Sequence, residues 1–465
     1  MTSSGRASAA IAWRPWSGAL FTEARARRVP VLLSLTTSWS EGSSEMHRTT
    51  FTDAAVVSAV NDTCLAVRVD ADERPDLAER YALGGFPTTV FLTPDGFVVG
   101  GGTLIPAEAL CDALPRVRDA IAGVEPASHR AFAAGSARST PDFPALERWL
   151  AGAFDAEHGG VGGAPKFPHA AAVAWALDRS AGGGDPFMRD LVTRALDGIG
   201  WGELYDEHGG GFYRCCRGAG WTDPQREKLL AVNAALLDLY VRAGAQTGTD
   251  RWLGRAADTL AFIQHSLRRH DGAWRNASGS TTSRVFCDAN AGAVSAALQA
   301  ASVFGDDDLA RQALGTLEHV LLASYVPGEG VAHFAGGPRG LLADQIAMAA
   351  ACLDAWEATG DLPYRMMAEE LAHFATRTMW DEQAGGFFDR AAELYADEPV
   401  GASDLRKPFV QNCAAASLLG RLAEAAPGDE WLPLARKTLE AVAPAVTTQG
   451  PDVAHYLIAR RAVPR

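Results

Sequence analysis

The spacing of apolar positions changes near residue 122, and this change divides the chain into two kinds of structure. Before it, short apolar runs alternate with segments whose apolar residues recur every three or four positions, which predicts strands alternating with helices. A Pro-Asp-Gly turn inside 85–101 predicts two strands paired as a hairpin. The other predicted strands are 29–35 and 64–70, and the predicted helices are 50–61, 74–83 and 106–121. This order predicts a mixed sheet with helices on both faces.

Residues 122–141 are rich in Ala, Ser, Pro and Gly, which predicts a linker, and everything beyond them has helical spacing. Acidic, glycine-containing turn segments recur there at intervals of roughly 50 to 65 residues, and each interval holds two amphipathic stretches. The acidic residues of these turns are Asp155, Asp206, Asp271, Glu329 and Asp381. Repeated helical hairpins stack on one another, and six of them close into a ring. We therefore predict a multi-domain α/β plus all-α protein, with domains at 1–121 and 142–465 joined by the linker 122–141, the second an (α/α)6 toroid.

Four of the predicted inner helices carry a polar residue near their start, followed by small residues at helical spacing. These residues are Asn233, Asn290, Asp344 and Asn412. One interpretation is that they converge, together with Lys166, on a polar pocket at one end of the ring. The other is that they are helix caps, where Asn and Asp are favoured.

Composition narrows the partners and the location that we expect. The formal net charge of −14 argues against nucleic acid or anionic membrane as partners, because both attract clustered Lys and Arg. No apolar run reaches membrane-spanning length, and the first residues lack the apolar core of a signal peptide. We expect a cytoplasmic protein with neither a nucleic-acid nor a membrane partner.

The seven cysteines form no Cys-x-x-Cys, so the sequence predicts no local zinc site, no metal and no cofactor. We expect these cysteines to be reduced thiols, as is usual for proteins inside the cell. The adjacent pair Cys215 and Cys216 has no assigned role.

Several motifs, taken in order, resemble the spermatogenesis-associated protein 20-like proteins. They are the segments 21–35, 69–81, 84–96, 159–168, 226–237 and 380–389. The resemblance implies a thioredoxin-like domain followed by a six-hairpin glycosidase-like toroid. It also implies that Pro87, in Gly-Gly-Phe-Pro-Thr-Thr, is a cis-proline beside the thioredoxin-like active site.

The chain departs from this family at positions that carry chemistry. The family's Cys-His-Trp-Cys aligns with Ser40-Glu41-Gly42-Ser43, and a hydroxyl forms no disulfide. Ser40, Ser43 and Pro87 therefore make a degenerate redox site, and Ser38 with Glu41 predicts a capping box there. In the toroid, the family's His-Phe-Glu-Lys-Met-Leu-Tyr-Asp-Asn-Ala aligns with 225–234, which lacks the His, Tyr and Asp.

Toroids of this kind resemble glycoside hydrolases and sugar epimerases, which need paired carboxylates or a proton-transferring His. The candidate catalytic residues are Glu227, Asp288, Asp344 and His208, and the candidate ligand-binding residues are Lys166, Asn233, Asn290 and Asn412. We expect a redox-inactive protein that binds a small polar, carbohydrate-like ligand or a protein partner. The alternative is a carbohydrate-active enzyme, a glycoside hydrolase or sugar epimerase, that uses the toroid pocket.

Overall fold

A computed structural model describes residues 10–122, 141–183, 185–425 and 430–464. Its described residues fall into two compact units. Unit 1 comprises Met1–Gly135 with Ala392–Leu405, and unit 2 comprises Ser136–Ala391 with Arg406–Arg465. The predicted linker, 122–141, lies almost wholly outside the described residues. None of the described helices is both long and apolar enough to cross a bilayer.

Unit 1 contains the predicted mixed sheet, a four-stranded sheet in the order β2-β1-β3-β4. Its strands are β1 (Val31–Thr36), β2 (Leu65–Asp70), β3 (Thr88–Leu92) and β4 (Val98–Gly102). β1 pairs parallel with β2 and antiparallel with β3, which pairs antiparallel with β4. The helices of this unit are α1 (Gly18–Arg27), α2 (Glu41–Arg48), α3 (Ala54–Thr63), α4 (Pro75–Tyr81) and α5 (Ala107–Ala122).

Alternation along β1 supplies both faces of the sheet with apolar side chains. Leu32 belongs to one buried cluster, with Phe51 and Leu110, whereas Leu33 belongs to a second cluster, with Leu77. Successive side chains of a strand point to opposite faces, so a run that is buried on both faces is continuously apolar. This explains why 29–35 has no polar alternation.

The segment 392–405, far along the chain, belongs to unit 1. Its Ala402 is fully buried in the cluster that contains Leu77, within a single helical turn, Val400–Ser403. Glu398 accepts a hydrogen bond from Trp16 Nε1 at 3.2 Å and pairs with the Arg74 guanidinium at 2.6 Å. No sequence pattern predicted this contribution.

Unit 2 is a closed ring of twelve long helices among its described residues. They are α6 (Phe143–Gly152), α7 (Ala170–Ser180), α8 (Pro186–Trp201), α9 (Leu230–Thr247), α10 (Asp250–Phe262), α11 (Cys287–Phe304), α12 (Asp307–Ser324), α13 (Leu342–Thr359), α14 (Leu362–Met379), α15 (Phe409–Ala425), α16 (Trp431–Val442) and α17 (Val453–Ala462). The inner helices α7, α9, α11, α13, α15 and α17 each pack on the next, and α17 packs on α7, which closes the ring. The predicted (α/α)6 toroid is confirmed.

The inner helices pack closely because they are rich in small residues and buried around most of their circumference. In α13, for example, Met348, Ala349, Ala351 and Cys352 are all fully buried. A helix that is apolar on every side belongs inside a structure rather than on its surface.

Three aspartate turns connect outer helices to inner ones by the same contacts. In each, one carboxylate oxygen accepts hydrogen bonds from two main-chain N–H groups, and the other pairs with a lysine ammonium. The pairs are Asp155–Lys166, Asp206–Lys228 and Asp381–Lys407. Two glycines with φ between 68° and 77° follow each aspartate, in the left-handed region that favours glycine. These three aspartates therefore have a structural role in their turns.

We predict that Asp381→Asn destabilises the protein by about 1–3 kcal/mol at pH 7. Burial alone would raise the pKa of Asp381, but the Lys407 ammonium and the N–H groups of Gln383 and Ala384 outweigh it and lower the pKa. The stabilisation is therefore complete above the unfolded pKa of about 4 and is lost as pH falls toward the folded value. Urea unfolding between pH 7 and pH 3 should show the difference between wild type and variant shrinking with acidification.

The matched control is Glu382→Gln, an exposed neighbour in the same turn. It should change the free energy of unfolding by less than about 0.5 kcal/mol. An Asp381→Asn variant as stable as this control at pH 7 would contradict the structural role of the pair.

Candidate functional site

Four inner helices hold the loop that precedes them with a buried amide side chain. Asn233, Asn290, Gln345 and Asn412 are the fourth residues of α9, α11, α13 and α15, and each is at most 1% exposed. Each amide oxygen accepts from the N–H of one loop residue, and each amide nitrogen donates to the C=O of that same residue. We call this arrangement the amide bracket. The bracketed loop residues are Phe212, Trp274, Val331 and Phe387.

The bracket of Asn290 shows the geometry. Its Oδ1 lies 2.9 Å from the Trp274 nitrogen, and its Nδ2 lies 3.1 Å from the Trp274 oxygen and 3.0 Å from the Phe286 oxygen. The amide therefore makes three hydrogen bonds to main chain and lies out of solvent.

Asn233, Asn290 and Asn412 thus correct both expectations for these positions. They do not line a ligand pocket, because their amides are bonded to main chain inside the core. They are not N-caps either, because they lie inside the first helical turn.

Lys166 also differs from its expected role as a ligand-binding residue. Its side chain has no exposed surface, its ammonium pairs with the Asp155 carboxylate, and its Nζ lies 5.1 Å from the centre of the Trp221 ring. Its main chain pairs with that of Cys216 through hydrogen bonds of 2.7 and 3.0 Å. Lys166 and Cys216 are therefore part of the loop framework of the ring.

Of the four candidate catalytic residues, the structure brings two together. Asp288 lies in the first turn of α11 and Asp344 in the first turn of α13. His208 lies in the exposed turn after Asp206, and Glu227 lies half-buried in the segment before α9. Neither is part of the Asp288 and Asp344 cluster.

A histidine that the sequence analysis did not select completes this cluster. His333 Nδ1 lies 2.9 Å from Asp344 Oδ1 and 3.8 Å from Asp288 Oδ1. The Asp344 side chain is fully buried and that of His333 is 4% exposed, whereas that of Asp288 is 37% exposed. Burial raises the pKa of Asp344, although His333 opposes that shift. We refer to Asp288, His333 and Asp344 as the triad.

The loop that carries His333 is held against both neighbouring inner helices. The His333 ring packs on Phe286 and Phe334, with ring centres 5.1 and 6.1 Å away. Its C=O accepts from the Cys287 N–H at 2.7 Å, and its loop is bracketed by Gln345 through Val331. The imidazole is therefore fixed at the N-terminal ends of α11 and α13.

Asp288 also lines a cavity of about 230 Å³ between α9 and α11, the α9–α11 cavity. Asp238 and Ser295 supply its other polar groups, and the remaining lining consists of alanine and glycine. Burial raises the pKa of the Asp238 carboxyl, although the Arg242 guanidinium, 3.5 Å from Asp238 Oδ2, opposes that shift. Most of the surface that lines this cavity is apolar, and Asp238, Asp288 and Ser295 are the polar residues at its wall.

Ion pairs link neighbouring inner helices near their C-terminal halves. Arg242 of α9 pairs with Asp178 of α7 at 2.8 Å, and Arg421 of α15 pairs with Asp354 of α13 at 2.6 Å. These ion pairs tie α7 to α9 and α13 to α15.

In unit 1, Ser40 and Ser43 lie beside the cis Phe86–Pro87 peptide bond. Ser40 is the N-cap of α2: its Oγ accepts from the Ser43 N–H at 3.2 Å and donates to the Phe86 C=O at 3.1 Å. The cis-proline implied by the resemblance is present. The predicted capping box is wrong, because the cap is Ser40 and not Ser38.

Comparisons with known proteins agree with this architecture. Residues 4–130 match the family model Thioredox_DsbH, described as a protein of unknown function, DUF255. The chain is 29% identical over 262 residues to the uncharacterized protein B0495.5 of Caenorhabditis elegans, and this match covers 50% of this chain and 36% of that protein. It is 26% identical over 306 residues to human spermatogenesis-associated protein 20, and this match covers 57% of this chain and 38% of that protein. The resemblance to the spermatogenesis-associated protein 20-like proteins is confirmed, and the matches span less than two fifths of these relatives' lengths.

Solved structures share the fold of the ring. The cellobiose 2-epimerase of Bacillus thermoamylovorans superposes with a TM-score of 0.54 at 12% identity, covering 63% of this chain and 83% of the epimerase. A D-mannose isomerase superposes with a TM-score of 0.52 at 15% identity, covering 68% of this chain and 88% of the isomerase. An α-mannanase of Bacteroides thetaiotaomicron superposes with a TM-score of 0.51 at 9% identity, covering 69% of this chain and 94% of the mannanase. At these identities the similarity shows the six-hairpin fold alone.

We predict that the double variant Ser40→Cys/Ser43→Cys forms a disulfide under mild oxidation. The Ser40 cap contact to the Ser43 N–H sets the two side chains at one end of α2, in the spacing that supports thiol–disulfide chemistry. Mass spectrometry after alkylation of free thiols measures the bond.

The matched control is Ser40→Cys/Ser44→Cys, in which the second position is exposed. Its two introduced thiols should stay reduced. If the thiols at 40 and 43 remain alkylated as fully as those of the control, the assignment of a degenerate redox site fails.

Proposed function

We propose that the ring binds a small polyhydroxylated, carbohydrate-like ligand in the α9–α11 cavity. We also propose that unit 1 carries out no thiol redox chemistry. The observation that carries the proposal is the pair of carboxylates, Asp238 and Asp288, facing one cavity. Elsewhere in the ring, the candidate polar residues at the starts of the inner helices bond to main chain.

Carboxylates that face a cavity suit a ligand with several hydroxyl groups. Each carboxylate oxygen accepts hydrogen bonds and donates none when ionised, so its partner must be a donor such as a sugar hydroxyl. Charge-assisted hydrogen bonds of this kind are stronger than neutral ones. Ser295 both donates and accepts, and it faces the same cavity. The two acids disfavour an anionic ligand, although the Arg242 guanidinium lies 3.5 Å from Asp238.

The cavity also limits the size of the ligand. Its volume of about 230 Å³ lies below the range of about 300–1,000 Å³ that is typical for drug-sized molecules. The small side chains of Ala231, Ala235 and Gly292 leave this space open. A ligand of monosaccharide size is the best fit, and the known sugar epimerases that share the fold add support by analogy.

Binding is better supported than catalysis. A glycoside hydrolase needs two carboxyl groups that both reach the scissile bond, and Asp344 has no exposed surface. An epimerase needs a base in contact with the substrate, and His333 lies almost wholly buried behind the cavity residue Asp288. Catalysis by the triad therefore requires the triad to open first.

We predict that neutral monosaccharides and their polyols raise the melting temperature of the protein, and that Asp238→Asn and Asp288→Asn each weaken the binding at least tenfold. Each amide keeps the shape of the side chain but removes a charged acceptor. Calorimetric titration of the best ligand from the screen gives the affinities. Proton NMR of the same mixtures reports any conversion of the sugar.

The control is Asp190→Asn on the outer helix α8, where the carboxylate is 53% exposed and pairs with Arg194. It should bind as the wild type does. Equal loss of affinity in this control, or undiminished binding in both cavity variants, would refute the location. Conversion of the sugar would favour the enzymatic alternative.

A further inference from the structure

We propose that the triad holds a divalent transition-metal ion beside the α9–α11 cavity. Asp288, His333 and Asp344 each offer one ligand atom, and these atoms lie within 4.8 Å of one another. The proposal concerns the ion alone and does not depend on the polyhydroxylated ligand.

The spacing suits a common ion. Zinc ligands lie about 2.0–2.2 Å from the metal, so two oxygen or nitrogen ligands of one ion are at most about 4.4 Å apart. The triad atoms need to move by less than about 1 Å to meet that limit. Asp288 is the partly exposed member, and its side chain can supply this movement.

A second, independent observation points to a missing partner. The Asp344 side chain has no exposed surface, and its Oδ1 contacts His333 Nδ1. Within the part of the chain that the structure describes, its Oδ2 has no partner at hydrogen-bond geometry, although the Asp288 main-chain N–H interacts with the carboxyl group. Buried carboxylate oxygens are almost always satisfied, because removing them from water costs free energy. A cation held between the carboxylate and the imidazole would compensate for that cost.

The donor set selects the class of metal. One imidazole nitrogen with two carboxylate oxygens suits Mn²⁺, Fe²⁺, Co²⁺ and Zn²⁺, whereas Ca²⁺ and Mg²⁺ prefer oxygen ligands alone. His333 binds through a nitrogen that carries no proton, so the ion would replace the proton between His333 and Asp344. Asp288 faces the α9–α11 cavity, which gives the ion an entry path.

The surroundings already orient the ligands. The His333 ring is packed between Phe286 and Phe334, and the His333 C=O is tied to the Cys287 N–H. Three protein ligands leave coordination positions for water, as in open metal sites. The fixed position of His333 distinguishes the triad from an ordinary group of surface acids.

The test is calorimetric titration of Zn²⁺ and Mn²⁺ into the untagged protein after treatment with a chelator. We expect one ion per chain, with Zn²⁺ and Mn²⁺ binding at least tenfold more tightly than Mg²⁺. Asp344→Asn and Asp288→Asn should each weaken binding of Zn²⁺ at least tenfold, because each removes an anionic ligand. Circular dichroism checks that the variants fold. If Asp344→Asn does not fold, Asp288→Asn still tests the proposal, because Asp288 is partly exposed and its substitution leaves the core intact.

The control is Asp190→Asn, an exposed carboxylate on the outer helix α8 that lies outside the triad and the α9–α11 cavity. It should bind Zn²⁺ as the wild type does. Absence of stoichiometric binding to the wild type, or equal binding to wild type and Asp288→Asn, would overturn the proposal. Because the titration contains no sugar, its failure would leave the sugar-binding proposal standing, and a failed sugar screen would leave the metal proposal standing.

Discussion

The ring of helices depends on hydrogen bonds between inner-helix amides and the main chain of the preceding loops. Each outer helix leads through a loop into the start of an inner helix, and this loop buries main-chain groups that need partners. The amide bracket satisfies both the N–H and the C=O of one loop residue with one side chain. The same amide also bonds to the C=O four residues earlier, at the start of its own helix. One side chain thus fixes the loop relative to the helix that follows it.

This constraint limits what the ring can do chemically. Asn233, Asn290 and Asn412 are buried and use both amide N–H donors on main chain, and the Lys166 ammonium pairs with the Asp155 carboxylate. Asp238 and Asp288 face the α9–α11 cavity, and Asp288 also belongs to the triad. A binding function and a metal site can therefore share one residue while the framework stays intact.

The ring was predictable from the sequence, but the role of its buried polar residues was not. Repeated turns and amphipathic helix pairs indicate six hairpins without any knowledge of contacts. The amide bracket joins Asn290 to Trp274, sixteen residues earlier, and no local pattern reveals a bond from a side chain to main chain. In α13 the sequence favoured Asp344, whereas the equivalent residue is its neighbour Gln345. His333 was missed because it is a single histidine after a glycine-rich turn, and its partners come from other segments.

Hydrogen exchange of the Trp274 main-chain N–H tests the amide bracket most directly, because this group has a helix side chain as its acceptor. Mass spectrometry with residue-level fragmentation can follow it in the wild type and in Asn290→Leu, with the amides inside α11 as the internal reference. If the bracket holds the loop, Trp274 in the wild type exchanges as slowly as those reference amides, and Asn290→Leu makes it exchange faster while α11 stays protected. Exchange of Trp274 in the wild type at the rate of an exposed loop would show that the amide bracket does not hold the ring together.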